Sequence, residues 1–317
     1  MRIIREINRY NDTQVSDIFM LLDLERKSME YQLSNNFLTV SIKSAGAEIT
    51  SIQSKDGLEY IWCGDEKFWG RHAPILFPIV GKVLENEYTY QGQSYGLSQH
   101  GFARDSEFEV EAYSNHQITF LLHSNEKTKE KYPFDFILKL HYELQENKVK
   151  VGYEVQNIDQ KEIYFSIGGH PAFNCPAFED ETLEDYVIEF EVEEEAQKLG
   201  ITPEVYLSGE REDYKVKTIP LCHHFFKDGV TILTKLQSQT VTLKSLKHDY
   251  RMTMSREQLP FLGLWSPEKG APFVCIEPWV GHTDYITASK EISEKKDFVS
   301  LEVGETFKCD YTMTFEK

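Results

Sequence analysis

Alternation with a period of two runs through most of this 317-residue chain, and it predicts strands rather than helices. In Phe37–Lys43, Leu38, Val40 and Ile42 share one face. The same rhythm carries Phe134, Phe136, Leu138, Leu140, Tyr142 and Leu144, pauses at a polar turn over Gln145–Lys148, and resumes at Val149, Val151, Tyr153 and Val155. It returns at Ile118/Phe120/Leu122, Tyr186/Ile188/Phe190/Val192 and Tyr311/Met313/Phe315. The stretch Tyr88–Tyr95 predicts a tight hairpin turning around Gly92. Each alternating stretch offers one face to a core and one to water, the mark of antiparallel sheet. No linker rich in Pro, Gly or Ser interrupts the pattern, and no repeat is visible. The expected fold is all-β: one large antiparallel β-sandwich over residues 29–317.

Two segments depart from the rhythm. Residues 179–195 are dense in carboxylates, which reads as a solvated strand edge that resists edge-to-edge pairing rather than as a metal site. Residues 1–28 precede the sheet pattern. They read either as an extension with a short helix over Asp17–Lys27 or as sequence upstream of a start at Met29.

Composition narrows the function. With 52 acidic against 34 basic residues the net charge is −18, which repels nucleic acid and anionic lipid and argues against either as a partner. At 40% hydrophobic and 13% aromatic the chain can bury a sizeable core. The five cysteines are odd in number, spread out and form no CxxC, the pattern of a reduced protein with mostly buried thiols. No apolar run approaches the length of a membrane span, and Ile18–Leu22 is too short for a signal peptide. A cytoplasmic location is the expectation; oligomeric state cannot be read.

The phosphate-cradling, dinucleotide, HExxH and GxSxG motifs are all missing, so no cofactor is expected and any chemistry must come from side chains that converge in the fold. Four stretches place ionisable residues beside Gly, Pro and aromatic neighbours: 69–81 with Arg71 and His72, 98–104 with His100 and Arg104, 168–173 with His170, and 275–284 with Glu277 and His282. Such punctuation marks chain turning at the mouth of a concave surface. Glu277 is the most pointed of these, because its sequence neighbours are almost wholly apolar and burial raises a carboxyl pKa. A metal site is not expected: His100 and His170 lie far apart in sequence, and the consecutive His223 and His224 would point to opposite faces of a strand. What remains is acid–base chemistry, which needs only a base, an acid and polar anchors.

At these four stretches, taken in order as R71-H-A-P-I-L-F-P, Q99-H-G-F-A-R104, G168-G-H-P-A-F173 and C275-I-E-P-W279, the chain resembles the aldose 1-epimerase (galactose mutarotase-like) superfamily. Within it, the sequence is most similar to the LacX-type and glucose-6-phosphate 1-epimerase-like branch. The resemblance spans about residues 29–317 and implies the supersandwich fold with a sugar cleft on one sheet. It implies Glu277 as catalytic base, His170 as general acid and His100 as a second active-site histidine near the ring oxygen. Arg71 matches the arginine that grips sugar hydroxyls, and Asp228 a hydroxyl-binding aspartate. The implied activity is anomer interconversion of a hexose or hexose phosphate by ring opening, without a cofactor. A phosphorylated sugar would need a basic pocket, for which Arg71, Lys82 and Arg104 lie in or beside the motifs. The rival reading is a non-catalytic sugar-binding sandwich, with Trp69, Trp265 and Trp279 stacking on sugar faces. Gly168 and Gly169 are expected to let the backbone approach the ligand.

Overall fold

A computed structural model describes residues 28–317; the helix expected over Asp17–Lys27 lies outside the described residues. Fifteen strands join into one antiparallel sheet. The sheet folds over on itself. Phe77, just beyond the strand Ile75–Leu76 at one end of the sheet order, packs its ring 5.1 Å from that of Phe136, which opens the strand Phe136–Gln145 near the other end. One continuous core fills the space between the layers, drawing on Leu140, Tyr153, Ile188 and Leu264 from four different strands. The all-β sandwich expected from alternation is the fold observed. Among the described residues no helix is long and apolar enough to cross a membrane.

Most predicted stripes are buried as expected. Leu38, Val40 and Ile42 point inward from the strand Leu38–Lys43. The run from Phe134 to Leu144 and its continuation from Val149 to Val155 form antiparallel neighbours closed by Glu146-Asn147. In the hairpin of Glu87–Tyr90 and Gln93–Gly96, Gln91 and Gly92 both take positive φ, the conformation of the two-residue turn that matches strand twist.

The acidic segment behaves differently from the expectation. In the strand Tyr186–Ile201 the register with Leu207–Pro220 shifts between Glu189 and Glu194. At this bulge Val192 is turned outward, to 41% exposure, while Glu194, in phase with the buried Phe190, stays inward. The buried Glu194 carboxylate accepts backbone N–H groups of Gln237 and Ser238 at 2.7 Å each. Glu181 is buried too, accepting from the hydroxyls of Tyr186 and Ser245. Part of the acidic run is therefore an internal staple, because two of its carboxylates receive the N–H and O–H donors that burial demands.

A separate three-stranded sheet, Glu30–Ser34, Leu38–Lys43 and Ile49–Ser54, braces one side of the sandwich. Just before its third strand, the buried Glu48 carboxylate accepts from His72 N at 2.7 Å and Ala73 N at 3.0 Å and pairs with Lys43 at 2.6 Å. These contacts fix the loop that carries Trp69 and Arg71.

Candidate active site

The site is organised by the strand Phe273–Val280. Along it Phe273, Cys275, Glu277 and Trp279 share one face by strand periodicity. Two short strands, Ile167–Gly169 and Ala172–Asn174, both pair with it, Gly168 opposite Trp279 and Ala172 opposite Cys275. Both pairings keep one register, and continuing it across the break puts His170 opposite Glu277. His170 Nε2 lies 3.2 Å from Glu277 Oε2. The interruption at His170–Pro171 thus frees an imidazole from the ladder without losing its alignment to the carboxylate. His170 N is still anchored, donating to Pro74 O at 3.1 Å.

The two glycines serve packing rather than ligand approach. A Cβ on Gly168 would meet Trp279 Cδ1 at 2.5 Å and Pro278 O at 2.8 Å, and one on Gly169 would meet the hydroxyls of Tyr311 and Tyr153 at 2.7 and 2.9 Å. Protein atoms occupy the space that the sequence reading assigned to a ligand.

A cavity of about 310 Å³ opens over the pair. His170, Glu277, His100 and Arg104 line it, with Gln99, Thr283 and the three tryptophans Trp69, Trp265 and Trp279. His100 is held by a reciprocal backbone contact. Its N–H donates to Gly81 O at 2.7 Å, while Gly81 N donates to its Nδ1 at 3.1 Å. Nδ1 therefore accepts, and in the neutral ring the proton sits on Nε2. The arrangement needs left-handed backbone at Gly81, where φ is +70° and an added Cβ would strike Thr283 at 2.4 Å. The His100 and His170 rings meet edge-on with centroids 5.6 Å apart.

Burial controls the protonation of all three groups. Desolvation pushes the Glu277 carboxyl well above its ordinary range. Desolvation, followed by the nearby cations Arg104 and Arg71, lowers His170 to about 3. His100 is driven well below its ordinary value by desolvation and then by His170, Arg104, Arg71 and Lys82. Because burial raises the carboxyl and lowers the imidazole it touches, Glu277 and His170 titrate as one unit rather than as two independent groups.

The remaining sequence-predicted residues divide. Arg104 lines the cavity, its Nη2 donating to Gln99 O at 2.7 Å. Arg71 stands one layer back, bound at 2.7 Å to Asp105, whose other carboxylate oxygen is 3.7 Å from Arg104 Nε. Lys82 turns away from the cavity, donating its amine to Glu204 O at 3.1 Å. Asp228 lines an adjoining depression with Lys198 and Arg211, although its neighbours Gly229 and Val230 form part of the cavity wall. The basic pocket expected from three cations is reduced to Arg104 backed by Arg71. The sugar platforms are changed as well. Trp69 stacks on His170 with centroids 4.8 Å apart, and Trp279 lies across Gly168 and Gly263.

Cys275 was not among the predicted site residues. Its sulfur, a His170 ring nitrogen and a Glu277 oxygen lie within 4.8 Å of one another, all buried. Sequence spacing between histidines could not reveal this N, S, O donor set, because two of its members are one strand period apart and the third joins through the sheet. Glu48 and Thr283, which position the walls, were missed as well; for Glu48 no local signal exists.

A large antiparallel sandwich carrying a buried carboxyl–imidazole pair in a small cavity defines a protein of the galactose mutarotase-like class. The chain belongs to the aldose 1-epimerase family, whose model, Aldose 1-epimerase, matches residues 29–314. It is 32% identical over 296 residues to the LacX protein (chromosomal) of Lactococcus lactis subsp. lactis, covering 90% of this chain and 99% of that one. Among solved structures it is similar to a galactose mutarotase related enzyme from Lactobacillus acidophilus, with TM-score 0.89 and 35% identity over 91% of this chain and 98% of that one. A galactose mutarotase-like protein from Lactobacillus casei ATCC 334 gives TM-score 0.86 and 34% identity, covering 91% and 100%.

Proposed function

We propose that this protein is a cofactor-independent aldose 1-epimerase that interconverts the α and β anomers of a hexose or hexose phosphate. The observation that carries the reading is the 3.2 Å contact between His170 Nε2 and Glu277 Oε2 at the floor of a sugar-sized cavity.

Ring opening moves two protons at one carbon. As the C1–O5 bond breaks, O1 loses its proton and becomes the aldehyde oxygen, and O5 gains one. O1 and O5 are both bonded to C1, so acid and base must reach neighbouring atoms, which suits side chains in contact. Glu277 as carboxylate takes the O1 proton while His170 as imidazolium protonates O5. After rotation about C1–C2 the steps reverse on the other face. The pair holds one proton before and after opening: it begins on the imidazole and ends on the carboxyl, and ring closure, which runs both transfers backwards, restores it to the imidazole. Neutral His100 presents Nε2–H to a sugar oxygen, and Arg104 binds hydroxyls or a phosphate. General acid and base assistance each contribute about 10²–10⁴ in rate, and orientation adds to both.

Saturation-transfer NMR of anomer exchange across glucose, galactose and their 6-phosphates tests the reading and selects the substrate. Acceleration of at least one of these supports it. Binding of sugars with no acceleration would establish the rival, a carbohydrate-binding sandwich without turnover.

A further inference from the structure

The acid–base cycle requires the shared proton to start on His170, yet burial alone favours the opposite arrangement, a neutral imidazole beside a protonated carboxyl. The charged neighbours do not correct this. Arg104 and Arg71 disfavour a second cation, and His100, the remaining polar ring at the site, is itself neutral. Glu277 attracts the proton electrostatically but competes for it. The opposing influence is the face of an indole.

Trp69 lies over His170 with centroids 4.8 Å apart and planes 28° from parallel. It cannot easily leave. Trp62 Nε1 donates to Trp69 O at 2.9 Å, the Trp69 indole packs against Phe273 and Trp265 at 5.8 and 5.6 Å, and Glu48 holds the following turn through His72 N and Ala73 N. An electron-rich ring face within about 6 Å attracts a cation and is indifferent to a neutral ring, most strongly for tryptophan and in a desolvated site. We infer that Trp69 is a positioning residue that favours the imidazolium form of His170 and so raises the share of His170–Glu277 pairs in which the proton sits on the ring and Glu277 meets the sugar as a carboxylate. The inference rests on the epimerase reading for its consequence, though not for its measurement. Interaction of this kind changes proton affinity by about 2- to 30-fold.

The test is ¹⁵N NMR of imidazole-labelled full-length protein at pH 7, with the His170 signals assigned by their loss in His170→Asn. Wild type is expected to show both His170 nitrogens displaced toward protonated values relative to Trp69→Leu. Trp69→Leu moves them toward the neutral form, and Trp69→Phe, which keeps a weaker ring face, falls between. In exchange assays Trp69→Leu lowers kcat about 2- to 30-fold with KM within threefold, and Trp69→Phe recovers part of the loss. A neutral His170 in wild type overturns the inference, whether or not Trp69→Leu folds. So does a Trp69→Leu variant with wild-type shifts. Shifts that follow the series in a protein that exchanges no sugar would leave the indole's role standing and remove the epimerase reading.

Discussion

Gly263 stands directly across the ladder from Glu277, and a Cβ added to it would sit 2.6 Å from Trp279 Cζ2 and 3.3 Å from Glu277 Cβ. The Glu277 carboxylate and the indole beside it share the space of one missing side chain. Gly263→Ala is expected to cost about 1–3 kcal/mol of stability through overpacking and to lower anomer exchange by displacing Glu277. Urea unfolding followed by intrinsic fluorescence measures the first effect and polarimetry the second. Unchanged values for both would mean that the indole moves aside freely.

Removing either member of the proton pair should separate chemistry from folding. Glu277→Gln keeps the shape of its side chain and His170→Asn a part of it, and both are expected to slow exchange about 10²-fold or more. Circular dichroism should remain that of wild type. Near-normal exchange in either variant would remove the mechanism.

Activity should not fall with a midpoint near 6.5, the value for an exposed histidine. The pair must carry one proton. The acid limb therefore lies well below 6.5, toward the value of about 3 to which burial lowers His170, and the alkaline limb lies above the ordinary carboxyl range because burial raises Glu277. A plateau in kcat/KM between these two limbs is the expected profile. The same shift has a stability signature. The folded pair keeps one proton where the unfolded chain, its free imidazole already charged, takes a second as its carboxyl titrates at about 4.3, so stability falls as pH drops from there toward 3. His170→Asn should flatten that part of the wild-type curve, as read by thermal melts at several pH values.

Lys295 and Asp284 form an ion pair of 2.6 Å with both side chains almost wholly buried. Asp284 also accepts from Leu84 N at 2.8 Å, while the adjacent Thr283 Oγ1 accepts from Lys82 N at 3.0 Å. These bonds hold residues 82–84 against the turn that packs on Gly81, and Gly81 holds His100. Lys295→Ala should cost about 3–5 kcal/mol, because it strands a buried carboxylate. A urea midpoint close to wild type would contradict this.

The cations near the cavity should not contribute equally. Arg104→Met is expected to lower kcat/KM about 10- to 100-fold, as loss of a charged hydrogen-bond donor does. Lys82→Met and Asp228→Asn should change it less than about threefold, since neither side chain lines the cavity. Equal losses in all three would show that the bound sugar reaches beyond the cavity walls.

The class of fold was legible in the residues alone, because alternation is a local property: each of Leu138, Leu140 and Tyr142 must face the core once the strand is extended. The sequence also marked His170, His100 and Glu277, since Gly and Pro punctuation and an acid among apolar neighbours are visible in a few residues. Other features needed the tertiary structure. Whether Arg71, Arg104, Lys82 and Asp228 meet one cavity depends on how separate loops stack, and long flexible side chains take whichever partner lies closest. The glycines at 168 and 169 looked like room for a ligand, but that room belongs to Trp279 and two tyrosines from elsewhere in the chain. Trp69 read as a sugar platform and is instead the face against His170. Burial, which moves the proton affinities of Glu277 and His170 in opposite directions, arises only when the whole sandwich closes over them; no local pattern carries it.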